Sequence, residues 1–134
     1  MDPLSITCGI ITISGVVLGS LKVLSTVLGA SDEGIALMNE VTELQVVLRD
    51  VQSILEGSKK AEIESLQSAL AKLNKSVLLL HDFIHTRLLK EEDLDNVRIS
   101  KLVWIYERTH IMRYQRELKP LRSELTTALS IANL

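Results

Sequence analysis

Aromatic side chains are nearly missing from this 134-residue sequence: one Trp, two Tyr and one Phe, 3% in all. Hydrophobic residues still reach 46%. The core must therefore be aliphatic, built from Leu, Ile and Val, which suits helix-on-helix packing. Two Pro and six Gly leave little turn chemistry for a β protein. The single cysteine, Cys8, excludes an internal disulfide and fits an intracellular protein. A net charge of −2 is too small to steer the molecule toward any partner by itself.

Charge is scarcest at the start. From Pro3 to Leu21 there is none, and from Pro3 to Ala30 only Lys22. Asp2 stands where a secretory signal would carry positive charge, and the apolar run is too long for a signal's core, so no such signal is expected. Asp2 is a good N-cap and Pro3 suits the first helical position, which predicts a helix over about residues 2–29. At 1.5 Å per residue it would be roughly 40 Å long, enough to cross a hydrocarbon core of about 30 Å. Its apolar residues, including Leu4, Ile6, Ile10, Ile11, Ile13, Val16, Val17, Leu18, Leu21 and Leu24, are the candidate membrane-insertion set. A stripe of small or polar residues runs along one face: Ser5, Cys8, Thr12, Gly15, Gly19, Lys22, Thr26 and Gly29. Within it, Cys8, Thr12, Gly15 and Gly19 are candidate helix-packing positions, against another membrane helix or against a neighbour in a soluble bundle. Cys8 reads as a small packing residue. Glycines and β-branched residues make this helix weak in water, so packing or lipid must hold it.

The rest of the chain reads as ordinary amphipathic helix. Residues 32–56 carry Val41, Leu44, Leu48, Val51 and Leu55 at three-four spacing, with Glu40, Glu43, Arg49, Asp50 and Gln52 opposite. Residues 61–89 continue the spacing through Ile63, Leu66, Leu70, Leu73, Val77, Leu80 and Ile84, and the half from Val77 to Ile84 is expected to be the more buried. A charged connector, residues 90–96, should be the most mobile internal segment. A short helix over 97–108 carries Trp104, and Thr109 can cap a last helix over 110–132 that runs in phase through Pro120, where a kink is expected rather than a break. The prediction is all-α: one domain over 1–134, an antiparallel four-helix bundle with an N-terminal hydrophobic helix and one short extra helix.

Charge is also unevenly placed. Residues 31–96 sum to −6 and residues 97–122 to +5. The plain reading is two solvated faces that attract each other within the bundle. The sharper one makes Arg98, Lys101, Arg108, Arg113, Arg116 and Lys119 candidate contacts for anionic lipid headgroups.

No enzyme is expected. His81-Asp82-Phe83-Ile84-His85 is close to the H-E-x-x-H pattern of zinc proteases, but Asp replaces Glu and no third ligand follows at a recognised spacing. No phosphate loop, nucleophile elbow or calcium loop is present, and the basic third lacks the interleaved aromatics of a single-strand nucleic-acid binder. No cofactor, metal, nucleic acid or small-molecule substrate is therefore expected.

The opening Met1-Asp2-Pro3-Leu4-Ser5-Ile6-Thr7 followed by an apolar, Gly-containing helix carries a resemblance. So do the Leu/Glu-rich helix after it, Trp104 at the start of the last third, and the closing pattern Leu118, Leu121, Ser123, Leu125, Ala128 and Leu129. Together they resemble the HeLo-like N-terminal domain of fungal STAND proteins, the NOD-like receptors of filamentous fungi. The resemblance covers nearly the whole chain, and the opening is its specific part. It implies a bundle similar to those of the necroptosis executioner and plant helper receptors. It also implies a membrane-targeting effector of programmed cell death, in fungal innate immunity and heterokaryon incompatibility, fired by oligomerisation. The implied partners are membrane lipids (anionic, conditionally), further copies of the chain, and receptor domains C-terminal to Leu134. Such a protein would be cytoplasmic at rest and at the plasma membrane on activation. Charge at Ile11 or Val17 would then be expected to abolish membrane activity. The alternative is a homotypic interaction bundle without membrane activity.

Overall fold

A computed structural model describes residues 3–28, 32–57, 63–88 and 107–132, and these form four helices and no strand. They are α1 (Pro3–Leu28), α2 (Asp32–Gly57), α3 (Ile63–Phe83, continuing as a π-helical turn, Ile84–Leu88) and α4 (Arg108–Ala132). Asp32 and Glu33 sit in the first turn of α2, where the helix dipole favours negative charge. The α4 cap differs from expectation. Ile111 N–H donates to the Glu107 carbonyl at 3.1 Å, so Glu107 precedes the helix and Thr109 lies inside it. Pro120 is accommodated within an unbroken α4. The connector 90–96, Trp104 and the expected short helix lie outside the described residues, apart from Glu107 and Arg108.

The helices stand at the corners of a square. α1 packs on α2 and α3, α4 packs on the same two, and the diagonal pairs α1/α4 and α2/α3 barely meet. Directions follow from paired residues. Ser14 meets Gln45 and Cys8 meets Gln52, so α1 and α2 run antiparallel. Lys72 meets Glu124 and Phe83 meets His110, so α3 and α4 do too. Glu33 meets Arg108 while Glu40 meets Arg122, so α2 and α4 are parallel. The chain alternates direction as predicted, yet each helix has one antiparallel and one parallel neighbour.

The core is aliphatic: Ile10, Val17, Leu21 and Leu24 from α1 meet Leu37, Leu44, Leu48, Leu66, Leu70, Leu73, Leu80, Ile111, Leu118 and Leu125. Phe83 is the aromatic member, 5.1 Å from the Tyr114 ring. Two expectations are corrected. Glu40, placed by pattern on the polar face of α2, is only 5% exposed, because Arg122 reaches it from α4 with a 2.6 Å hydrogen bond. And Val77–Ile84 is not buried throughout: Val77, Leu80, Phe83 and Ile84 face the core, while Leu78 and Leu79 are exposed.

The charge asymmetry is spent inside the molecule. Arg122 donates to both Glu40 (2.6 Å) and Glu43 (3.0 Å), and Arg108 lies 3.2 Å from Glu33. The acidic middle and the basic last third attract each other across α2 and α4.

Candidate functional site

The apolar stretch Leu4–Ser25, whose single charge is Lys22, spans 22 residues, about 33 Å at 1.5 Å per residue. Only 28% of its most apolar window is buried, unlike a helix enclosed in a soluble core. As a corner helix, α1 seats one seam and presents the rest to the outside. The seam is Thr7, Ile10, Ser14, Val17, Leu21 and Leu24, all at most 2% exposed. Leu4, Ile6, Ile11, Ile13 and Leu18 flank it, half-buried, while Val16 is 46% and Val23 53% exposed. The candidate insertion set is therefore split between seam, flank and surface. Charge at Val17 would destroy the seam along with any membrane activity, so Val17 cannot separate the two.

The small-residue stripe faces outward. Ser5, Cys8, Thr12, Gly15, Gly19 and Lys22 are all exposed. A Cβ built at Gly19 would meet nothing within 4 Å, and one at Gly15 would lie 3.3 Å from Gln45 Nε2. Close packing of this stripe inside the bundle is thereby corrected: Gly15 grazes the edge of α2 and Gly19 touches no helix. Cys8 is likewise exposed rather than packed, with Gln52 Nε2 3.6 Å from its sulfur.

Sequence reasoning missed the seam itself. Its three-four spacing is regular, but two of its six positions are hydroxyl residues, which read as polar face. Ser14 Oγ donates to the Ile11 carbonyl at 3.0 Å, and exposed Thr12 donates to the Cys8 carbonyl at 3.0 Å. Hydroxyls satisfied by their own helix can enter hydrocarbon without leaving a polar group unpaired.

The ties between helices differ in kind. Three polar contacts from α1 to α2 are long and uncharged: Gln45 Nε2 to Ser14 Oγ at 3.4 Å, Gln52 Nε2 to Cys8 Sγ at 3.6 Å, and Ser25 Oγ to Met38 Sδ at 3.9 Å. α4, by contrast, holds α2 through Arg122 and Arg108, and α3 through Lys72–Glu124 at 3.0 Å. Apolar burial is the main hold on α1. Its four fully buried aliphatic side chains contribute about 1.5–3 kcal/mol each, roughly 6–12 kcal/mol together. That approaches the whole stability of a typical domain, so α1 leaves only if another apolar environment receives it.

The six candidate lipid-contacting bases do not act as one patch. Arg98 and Lys101 lie outside the described residues. Arg108 is paired with Glu33, and Arg113 donates to Glu117 at 3.0 Å. Arg116 and Lys119 are exposed and make no ion pair among the described residues. α4 is also diagonal to α1, so a surface docked on α4 would find α1 on the far corner.

His81 and His85 place their rings 4.3 Å apart, with His85 in the π-helical turn. Among the described residues no group of three His, Cys, Asp or Glu is arranged to hold a metal.

These features define a class: a four-helix bundle whose N-terminal corner helix is long and apolar enough to span a bilayer. Compared with known proteins, the chain matches no family model, no curated protein and no solved structure.

Proposed function

We propose that this chain is a conditional membrane-active effector bundle of the HeLo-like kind, resting in solution and acting through α1 when it assembles at a membrane. One observation carries the reading. α1 has the length of a membrane span, yet it is a corner helix with only 28% of its most apolar window buried, while charged bonds link α4 to α2 and α3. Removing α1 from such a bundle exposes apolar surface but breaks none of the α2–α4 or α3–α4 ion pairs. Lipid around α1, and contact between copies around the vacated core, offset the lost burial. The cell-death role and the receptor partners rest on the sequence resemblance. The test is dye release from anionic vesicles together with vesicle flotation. Purified protein, concentrated or artificially oligomerised, is expected to float with vesicles and release dye. Protein that does neither under forced oligomerisation overturns the reading.

A second reading, self-association without membrane activity, is favoured by the outward stripe of Cys8, Thr12, Gly15 and Gly19. It makes a separate prediction. Gly19→Leu meets open space and should leave the bundle folded, more stable by up to about 1 kcal/mol because leucine is the better helix former. If this variant abolishes a dimer seen by light scattering, and wild-type protein never binds vesicles, α1 is a protein contact.

A further inference from the structure

A groove of about 490 Å³ runs between α3 and α4 around Pro120. Its floor is apolar, from Leu79, Pro120 and Leu121, and its rim is charged. The two rim acids are already neutralised: Glu124 by Lys72 at 3.0 Å, and Glu117 by Arg113 at 3.0 Å. Lys75 and Arg116 also line the groove and make no ion pair among the described residues, leaving two uncompensated cations beside an apolar floor.

Ser76 adds a hydroxyl at the same place. It is only 8% exposed and lines the groove. Several helical hydroxyls of this protein, among them Thr42, Thr126, Thr127 and Ser130, donate to the carbonyl four residues back at 2.8–3.0 Å. Ser76 makes no such bond and has no hydrogen-bond partner among the described residues. Its oxygen is not enclosed and is left to bond a ligand in the groove. Pro120 lacks an N–H, so the Arg116 carbonyl loses its ordinary helical donor.

We propose that this groove binds a free single-chain amphiphilic carboxylate, of the medium-chain fatty-acid class. The carboxylate is held by Arg116 and Lys75 and accepts a hydrogen bond from Ser76. The alkyl chain lies on Leu79, Pro120 and Leu121. The volume falls within the range of small-ligand sites. Three apolar side chains match one alkyl chain, whereas an amphipathic peptide helix needs a longer row of anchor pockets.

The experiment is calorimetry and backbone amide NMR of the whole chain titrated with decanoate below its micelle concentration. Saturable binding is expected, with shifts centred on residues 72–79 and 116–124. Lys75→Glu with Arg116→Glu, both exposed and therefore compatible with folding, should weaken binding by about tenfold or more. Ser76→Val should weaken it too, and decanol, with the tail but no anionic head, should bind far more weakly than decanoate. The proposal is overturned by non-saturable binding, by affinity that survives the charge reversal, or by shifts centred on α1. It is equally overturned if anionic vesicles or an acidic amphipathic peptide, and not free decanoate, perturb the groove.

Discussion

Val16→Asp will leave the bundle folded and remove its action on membranes. Val16 lies near the middle of the Leu4–Ser25 stretch and is 46% exposed on the outer side of α1. In water an aspartate there is solvated, and surface substitutions of this kind change stability by about 0.5 kcal/mol or less. In a bilayer the same position sits near the hydrocarbon centre, where an acidic side chain costs about 2.5–3.5 kcal/mol on insertion scales. That corresponds to a loss of membrane entry on the order of 100-fold. Helical circular dichroism and melting temperature should match wild type while dye release from vesicles collapses. Val17→Asp, one residue on, will do the opposite of separating the two, because Val17 is 1% exposed in the seam. Full dye release by a folded Val16→Asp protein would rule out insertion of α1.

Arg122→Met will be among the most damaging single changes in the bundle. Its guanidinium bridges Glu40 and Glu43 from α4 to α2, and the Glu40 side chain is 6% exposed. Removing the arginine leaves a carboxylate buried without its partner, at a cost of about 3 kcal/mol or more. For a chain of this size that lowers the melting temperature by roughly 10–15 °C. Arg122→Met combined with Glu40→Leu should recover most of the loss, because apolar replacement of both partners removes the orphaned charge. The hydrogen bond that Arg122 donates to Glu40 raises the arginine's pKa further, with burial opposing it and the charges of Glu40 and Glu43 adding to it. A raised value means that the arginine's share of stability is fully present below the ordinary arginine range and is lost only as pH rises through the raised value. The result also bears on function: the bridge joins α2 to α4, the helices that must stay together if α1 departs. An unchanged melting temperature in the single variant would show that the clasp contributes nothing.

Much of this was legible in the linear pattern. Period and spacing located all four helices, because an aliphatic residue every three or four positions has few other ways to leave water. Leu44, Leu48, Leu70, Leu73, Leu118 and Leu125 stood in those stripes and are fully buried. Glu40 could not be read correctly, since its burial depends on Arg122, 82 residues away. Ser14 was hidden for a related reason: a hydroxyl bonded within its own helix behaves as a core residue, yet it is counted as polar.

The first helix divides the same way. Composition by itself determined that residues 4–25 form an apolar helix with a single charge, Lys22, long enough for a bilayer, and that one of its faces is small. Those properties follow from local residue identity and the rise of a helix. Only the tertiary structure decided that α1 occupies a corner, that its small face points outward, and that its insertion residues divide between a buried seam and an exposed side. Which face of a helix finds a neighbour depends on the volumes and charges of the other three, and the α4 clasp to α2 and α3 sets those helices in place. The distinction between a helix that can cross a membrane and one placed so that it can leave its bundle is thus a property of the packing.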